Sequence, residues 1–306
     1  MGRRSNLSVG GQAVIEGVMM KNQNKVSMSV RLPDGSIDNE CWEVKSSNKL
    51  CFKIIILRGF FNFISMMVLG YKCLMKSAEK SEMFEDKEDK EDIKKNKNQN
   101  KLEKILGDNL FNILMAFSTI LSFVFSIGLF MWFPSFLVKL LGGYINISDG
   151  FKSLIEGLVK IFIFVIYISL TSFMKEMKTV YMYHGAEHKS IACLESGEEL
   201  TVENIKKYSR FHPRCGTSFI LISLVISILV FSIVSWESLL IRVLLKLILT
   251  PVIIGISYEI IKFTAKHDNK FTRIFILPGL LLQKITTREP NDKQIEVAID
   301  ALKNIN

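Results

Sequence analysis

The stretch LFNILMAFSTILSFVFSIGLFMW, residues 110–132, lies within a longer run, 109–138, that contains no charged side chain. About 20 consecutive apolar residues in a helix are enough to cross the hydrocarbon core of a bilayer. Trp132 and Phe133 near the far end are typical interfacial anchors, and Pro134 predicts the end of the helix. The sequence therefore predicts a transmembrane helix at this position.

Three further apolar stretches are predicted to span the membrane with the first. They are residues 154–174, 217–236 and 239–261. Lys160, Arg242 and Lys246 fall within them, and each charged group is expected to reach a membrane interface from its position. The composition also indicates a membrane protein, because 49% of the residues are hydrophobic and the mean hydropathy of +0.27 is high for a soluble protein.

The distribution of Lys and Arg indicates how the chain is oriented. The segment 175–216 contains seven of them, whereas the segment 134–153 contains two. Because cytoplasmic loops are enriched in Lys and Arg, residues 175–216 and both termini are expected to be cytoplasmic. The formal net charge of +9 does not indicate nucleic-acid binding, since no basic patch is interleaved with aromatic residues.

The remaining segments are predicted to lie at or outside the membrane surface. Arg58 in the apolar stretch 54–69 argues against a span, so residues 54–78 are predicted to form an interfacial or re-entrant helix. Residues 79–108 are predicted to be a charged linker. Residues 263–306 are predicted to contain an interfacial segment and a terminal amphipathic helix.

The N-terminal segment, residues 1–53, is predicted to contain a small cytoplasmic β unit. Pro33-Asp34-Gly35 separates two runs of alternating residues, and Pro followed by Gly favours a hairpin turn. The predicted fold is therefore a mainly α-helical polytopic membrane protein with about four transmembrane helices, interfacial helices and this β unit.

Histidine, cysteine and glutamate residues concentrate in the segment 175–216, between the second and third spans. His184 and His188 are four residues apart, so on a helix both imidazoles lie on one face and can share an ion. His212 and Cys215 have the His-x-x-Cys spacing of a second ligand pair. Four such ligands suit a divalent metal ion of borderline softness, zinc above all.

Glu187 stands next to this ligand set and is the candidate catalytic residue. The string His184-Gly-Ala-Glu187-His188 matches the H-x-x-E-H pattern of one metalloprotease class, in which the glutamate serves as a base. Four filled ligand positions would make the site structural, whereas a position open to water would allow catalysis. The sequence leaves both alternatives open.

Two other segments are candidates for supporting roles. GGQAVIEGVMM, residues 10–20, is glycine-rich, and it predicts either an entry strand to the β unit or a segment that brings Gln12 and Glu16 to the histidine site. TTREP, residues 286–290, is a polar turn expected at the same membrane face, with Glu289 as an additional ligand or base.

Five motifs together resemble those of the YqhQ-like family of bacterial membrane proteins. In chain order they are GGQAVIEGVMM (10–20), HGAEHK (184–189), HPRCGTSF (212–219), SYE (257–259) and TTREP (286–290). The resemblance implies a multi-pass protein of the bacterial inner membrane. It also implies a metal-dependent enzyme, a label that the family carries without an established substrate.

Two functions from different classes are therefore expected. One is a metal-dependent hydrolase that acts on a membrane-associated substrate. The other is a non-enzymatic scaffold or accessory subunit of a membrane-protein complex in membrane-protein biogenesis, where the metal would be a structural clip. A transporter is disfavoured, because no carboxylate or histidine is identified at the middle of a predicted span.

Overall fold

The computed structural model describes residues 9–44, 54–81, 101–142, 148–234, 236, 238–266 and 270–305. The strands are β1 Val9–Val14, β2 Gly17–Asn22, β3 Lys25–Arg31 and β4 Ile37–Glu43. The helices are α1 Ile55–Lys80, α2 Lys101–Ile127, α3 Phe133–Gly142, α4 Asp149–Thr171, α5 Lys175–Ser196, α6 Val202–Lys206, α7 Gly216–Phe231, α8 Leu239–Lys266, α9 Lys270–Thr286 and α10 Asp292–Lys303. Most of the predicted charged linker, 82–100, lies outside the described residues, although its last part, 101–108, is helical.

The four strands form one antiparallel meander in the order β1-β2-β3-β4. The predicted hairpin joins β3 to β4, and the Gly35 N–H donates to the Leu32 carbonyl at 2.9 Å. Gly35 has a φ of 88°, which explains why glycine occupies this turn. The glycine-rich segment forms β1 and β2, as expected of an entry strand.

This sheet is packed between helices on both faces. On one face, α5 and α10 cover Val18 and Met20, and Tyr183 lies in the same apolar core. On the other face, the C-terminal half of α1 covers a second core that includes Met28 and Cys73. Segments from the beginning, middle and end of the chain therefore form one layered unit beside the apolar helices.

Among the described residues, three helical stretches are long and apolar enough to cross a membrane. They are Ala116–Gly142, Asp149–Thr171 and Leu239–Thr264. The third predicted span corresponds to α7, which is apolar but has only 16 residues. The mainly helical membrane-protein architecture with a small N-terminal β unit is confirmed.

Pro134 does not end the first of these helices. Proline has no N–H to donate to the carbonyl four residues earlier, which here belongs to Phe130. A π-helical turn, Gly128–Trp132, lies directly before this proline, and the chain then continues helically as α3. A wider turn at the site of a missing hydrogen bond lets the helix run on to Gly142.

Helix α1 is packed along α8. A Cβ atom at Gly255 would be 2.4 Å from the backbone oxygen of Ile56, so only glycine permits this approach. Next to this contact, Arg58 Nη2 lies 2.6 Å from Glu259 Oε1. The ion pair explains how α1 accommodates Arg58 in an apolar stretch.

Arg242 and Lys246 are buried inside the helical bundle instead of being exposed on its surface. Both side chains are fully buried and form ion pairs with Glu156 of α4. A charged residue inside an apolar bundle is costly unless it is paired, and Glu156 supplies the partner. The bundle therefore contains a buried carboxylate that could not be recognised from the sequence pattern.

Candidate metal centre

Helix α5 and the first turn of α7 bring three potential metal ligands together. His184 and His188 project from one face of α5, as their spacing predicts, and Cys215 is the N-cap residue of α7. One ligand atom from each of these residues lies within 4.8 Å of the others. Two imidazoles and a thiol at these distances form a donor set suited to zinc.

Main-chain carbonyl groups orient both imidazoles through hydrogen bonds. His184 Nδ1 lies 2.8 Å from the Thr286 carbonyl oxygen, and His188 Nδ1 lies 2.6 Å from the Arg210 carbonyl oxygen. A carbonyl can only accept, so each Nδ1 carries the proton and each Nε2 keeps its lone pair. This is the outer arrangement that orients metal-binding histidines.

The two Nε2 atoms differ in their present contacts. His184 Nε2 lies 3.1 Å from Cys215 Sγ. His188 Nε2 is buried and has no hydrogen-bond partner within the part of the chain that the structure describes. Burial also lowers the pKa of His188, which favours the neutral, metal-binding form. A buried acceptor without a partner is costly, and a metal ion would satisfy it.

Cys215 is held at the start of α7 by its own helix. Its Sγ accepts hydrogen bonds from the Thr217 backbone N at 3.4 Å and from Thr217 Oγ1 at 3.3 Å. These two contacts fix the position of the sulfur at the N-terminal end of the helix, close to both histidines.

His212 lies beside this group but is not part of it. Its ring centroid is 5.5 Å from that of His188, and its Nε2 lies 3.8 Å from Glu195 Oε2. Gln283 holds its backbone on both sides, accepting from the His212 N–H and donating to the His212 carbonyl, each at 2.8 Å. Of the four ligands expected from the sequence, the structure thus brings three together.

Glu187 is buried beside the ligands, against β1. A Cβ atom at Gly11 would lie 2.9 Å from Glu187 Oε1, so the glycine of the GGQ motif makes room for this carboxyl. Burial raises the pKa of Glu187, while the neighbouring His184 and His212 act in the opposite direction. A buried carboxyl with a raised pKa is the kind of group that serves in general acid–base chemistry.

The expected supporting residues lie elsewhere. Gln12 packs against Gly70 of α1, Glu16 accepts a hydrogen bond from the Tyr183 hydroxyl at 3.3 Å, and Glu289 forms an ion pair with Lys189 at 2.7 Å. None of these three belongs to the group of converging ligand atoms. The expectation that Glu289 is a metal ligand is not supported by this arrangement.

The groups that orient the cluster are not part of any motif in the sequence. Two of them are the main-chain carbonyls of Thr286 and Arg210, which side-chain identity cannot reveal. Gln283 was visible as a polar residue in an apolar helix, and this contrast was the signal that could have identified it. Glu195 stands seven residues after His188 on α5, a spacing of two helical turns.

Comparison with known proteins identifies the family. Residues 54–306 match a family model described as "Protein of unknown function (DUF1385)". The chain is also 36% identical over 299 residues to "Uncharacterized protein YqhQ" of Bacillus subtilis (strain 168), covering 97% of this chain and 91% of the relative. No solved structure gives a significant match. The chain therefore belongs to the DUF1385 family, together with YqhQ of Bacillus subtilis.

Proposed function

We propose that this protein binds a divalent metal ion, zinc by the nature of its donors, through His184 Nε2, His188 Nε2 and Cys215 Sγ. The proposal is supported by the convergence of these three atoms and by the carbonyl groups that orient both imidazoles. It is supported further by His188 Nε2, a buried acceptor for which the described residues provide no hydrogen-bond donor.

We propose further that the centre is catalytic and that the protein is a metal-dependent hydrolase. One observation carries this step: among the described residues only three ligand atoms converge, and His212 is held towards Glu195. Catalytic zinc sites have three protein ligands and one open position, whereas structural sites have four. A zinc ion held here would act as a Lewis acid on water and on the substrate.

We propose that Glu187 transfers protons during the hydrolysis reaction. Its carboxyl is packed on Gly11 and is buried, so its position and its proton affinity are set by the fold. As a base it would take a proton during attack on the substrate, and as an acid it would return this proton to the leaving group.

The location of the centre supports a membrane-associated substrate. Cys215 immediately precedes the apolar helix α7, and α5, which carries both histidines, follows the membrane-crossing helix α4 within four residues. A substrate that is anchored in the bilayer would therefore meet the ligands where the apolar helices end. This location favours a lipid or a membrane protein over a small soluble molecule.

One observation favours a structural clip instead. The three candidate ligands and their carbonyl partners connect α5, the start of α7 and the end of α9, so an ion would fasten the layered unit to two neighbouring helices. A scaffold or an accessory subunit in a membrane-protein complex would need this rigidity and no open position. The two functions predict different states of the fourth coordination position of the metal. It is open in a hydrolase and filled in a structural clip.

Cobalt substitution distinguishes these alternatives without knowledge of the substrate. We expect purified protein to bind Co²⁺ with a thiolate-to-metal absorption band that Cys215→Ser abolishes. If the centre is catalytic, added azide or imidazole changes the visible bands of the cobalt site, because a small ligand enters the open position. Unchanged bands would show a closed site and would refute the hydrolase.

Single substitutions test the ligand set. His184→Ala and His188→Ala are expected to lose the metal, measured by elemental analysis, whereas His212→Ala is the matched control and retains it. Glu187→Gln is expected to keep the metal while losing proton transfer. Metal loss in His212→Ala equal to that in His184→Ala would show four ligands and support the clip.

We infer that the protein lies in the bacterial inner membrane with both termini in the cytoplasm. The inference rests on the apolar helices and on the Lys and Arg residues of the segment 175–216. A green fluorescent protein fused at the C-terminus is expected to fluoresce, and an alkaline phosphatase fused there to be inactive. The reverse result would overturn the orientation, and the metal centre would then face the outside.

A further inference from the structure

The exposed face of α1 changes from apolar to charged along the helix. In its first two thirds this face presents large apolar side chains that are between 37% and 55% exposed, among them Leu57, Ile64, Val68 and Tyr71. From the next residue onwards it presents Lys72, Lys76 and Glu79. A tyrosine followed by lysines at such a change is typical of a helix that passes from lipid into the headgroup layer.

The opposite face of α1 packs along α8, one of the helices that are long and apolar enough to cross a membrane. Ile56 meets Gly255, and Asn62 Nδ2 donates to the Tyr258 hydroxyl at 3.2 Å. These contacts advance along both helices together, so α1 and α8 run in the same direction. The apolar part of α1 therefore lies beside the second half of a membrane-crossing helix.

Helix geometry places the change from apolar to charged relative to the membrane. The apolar span of α8 ends at Thr264, and Gly255 lies about 14 Å before it at 1.5 Å per residue. Tyr71 lies about 22 Å after Ile56, the residue that meets Gly255. With parallel axes Tyr71 is then about 9 Å beyond the level of Thr264, and inclination of α1 shortens this distance. This is the depth at which lipid headgroups lie.

A groove opens at this level between α1 and β4, which is an edge strand of the sheet. Its volume is about 370 Å³, and Trp42, Leu69 and Cys73 give it an apolar lining. Lys72 and Lys76 of α1 also line it. A groove of this size is large enough for part of a ligand, and its lining suits an anionic group that is attached to an apolar chain.

The charges around the groove leave one cation for a ligand. Glu40, which also lines the groove, forms ion pairs with Lys76 and Lys80. Lys80 is paired with Asp38 as well. Lys72 is exposed, and within the described part of the chain no carboxylate is paired with it. The row of three lysines on α1 therefore has one positive charge more than the two carboxylates of β4 that face it.

We propose that this groove binds an anionic phospholipid from the leaflet next to the layered unit. The phosphate is bound by Lys72, and the start of one acyl chain lies against Leu69 and Trp42. The apolar lining, the adjoining apolar face of α1 and the depth of the groove favour a lipid over a soluble anion. A lipid bound here would join α1 to the edge of the sheet. Neither the proposed metal nor its ligands take part, so the inference rests only on the membrane position of α8.

Trp42 provides an optical signal for the groove. In a Trp132→Phe, Trp236→Phe background it is the remaining tryptophan of the chain. The protein is placed in two sets of nanodiscs, each with equal amounts of phosphatidylcholine and phosphatidylglycerol. One set has bromine, a contact quencher of tryptophan, in the first half of the phosphatidylglycerol acyl chains, and the other has it in the phosphatidylcholine. We expect brominated phosphatidylglycerol to quench Trp42 about five-fold more, the preference that one lysine gives for an anionic headgroup.

Substitutions at Lys72 decide whether this preference comes from the groove. Lys72→Gln is expected to make quenching by the two lipids equal to within about two-fold, because the charge that selects the headgroup is removed. Lys72→Arg keeps the charge and is expected to retain the preference. The matched control is Lys303→Gln, which removes an equal charge from an exposed position at the end of α10. Helix α10 covers the other face of the sheet, so this variant is expected to behave like the parent protein.

Equal quenching by the two lipids in the parent protein would overturn the proposal, because lipid that merely surrounds the protein has this effect. Absence of quenching by either lipid, or an equal loss of preference in Lys72→Gln and Lys303→Gln, would overturn it as well. Native mass spectrometry of the protein with all its tryptophans covers the case in which the tryptophan background does not fold. From an equimolar lipid mixture this protein is expected to retain phosphatidylglycerol over phosphatidylcholine, and Lys72→Gln to lose the preference. Equal retention of both lipids would refute the site.

Discussion

Gly185→Ala tests whether the TTREP segment positions the metal centre. A Cβ atom at Gly185 would lie 2.0 Å from the carbonyl oxygen of Arg288, whereas a carbon and an oxygen in contact are about 3.3 Å apart. Helix α5 and the TTREP segment must therefore separate by about 1.3 Å. The movement strains the hydrogen bond from the Arg288 N–H to the Tyr181 carbonyl, now 2.8 Å long.

The same movement also disturbs His184, the first of the proposed metal ligands. Thr286, at the other side of this segment, accepts the hydrogen bond from His184 Nδ1 that fixes the imidazole. Loss of an orienting partner of a metal-binding histidine weakens metal affinity about 10- to 100-fold, and we expect an effect of this size. Overpacking costs about 1–3 kcal/mol of folding free energy, so the apparent Tm should fall by several degrees.

Gly216→Ala is the matched control. Gly216 adjoins Cys215, but a Cβ atom there would meet no heavy atom within 4 Å. Zinc affinity, measured by competition with a chromophoric chelator, and the apparent Tm in detergent are expected to stay close to wild type in this variant. Wild-type affinity in Gly185→Ala, or equal losses in both variants, would refute the role assigned to the TTREP segment.

Three further predictions concern the layered unit and its junction with the bundle. Burial raises the pKa of Cys73 to about 11, so at pH 8 only about a thousandth of its thiol is ionised. Iodoacetamide should therefore label the exposed Cys41 before Cys73, and it should label Cys73 only above about pH 10. Peptide mass spectrometry would show this order. Asn291→Ala removes the capping box of α10 and should cost about 1 kcal/mol, seen as a lower apparent Tm. Gly255→Ala should force α1 away from α8 and cost about 1–3 kcal/mol, and an unchanged Tm would show that this contact is not maintained.

The features that depend on local sequence were predicted well. The alternation around Pro33 and Gly35 predicted the hairpin, and apolar length predicted three helices that are long enough to cross a membrane, because turn chemistry and bilayer thickness act over few residues. The other predicted span, α7, is apolar but has only 16 residues. Pro134 was misinterpreted for a physical reason. A proline forbids one hydrogen bond but does not end a helix when a wider turn can absorb the loss, as Gly128–Trp132 does.

The features that depend on distant partners were not predictable in the same way. Arg242 and Lys246 look like interfacial cations in the sequence, and only the tertiary structure places Glu156, about 90 residues earlier, between them. The ligand set shows the same limit. His212 and Cys215 are equally good ligands by spacing, and the contacts of His212 with Gln283 and Glu195 place only Cys215 in the group.

The arrangement of orienting groups implies that metal binding at the proposed site would depend on the assembly of distant segments of the chain. His184 is oriented by the end of α9, His188 by the loop before α7, and Glu187 by the close approach of β1 at Gly11. These segments are far apart in the chain, so an unfolded or partly assembled chain presents the candidate ligands without their orientation. Metal affinity and folding would therefore be coupled, because binding energy that requires the folded arrangement stabilises it. Such a coupling would link the motifs near both ends of the chain to a candidate ligand set that lies in the middle.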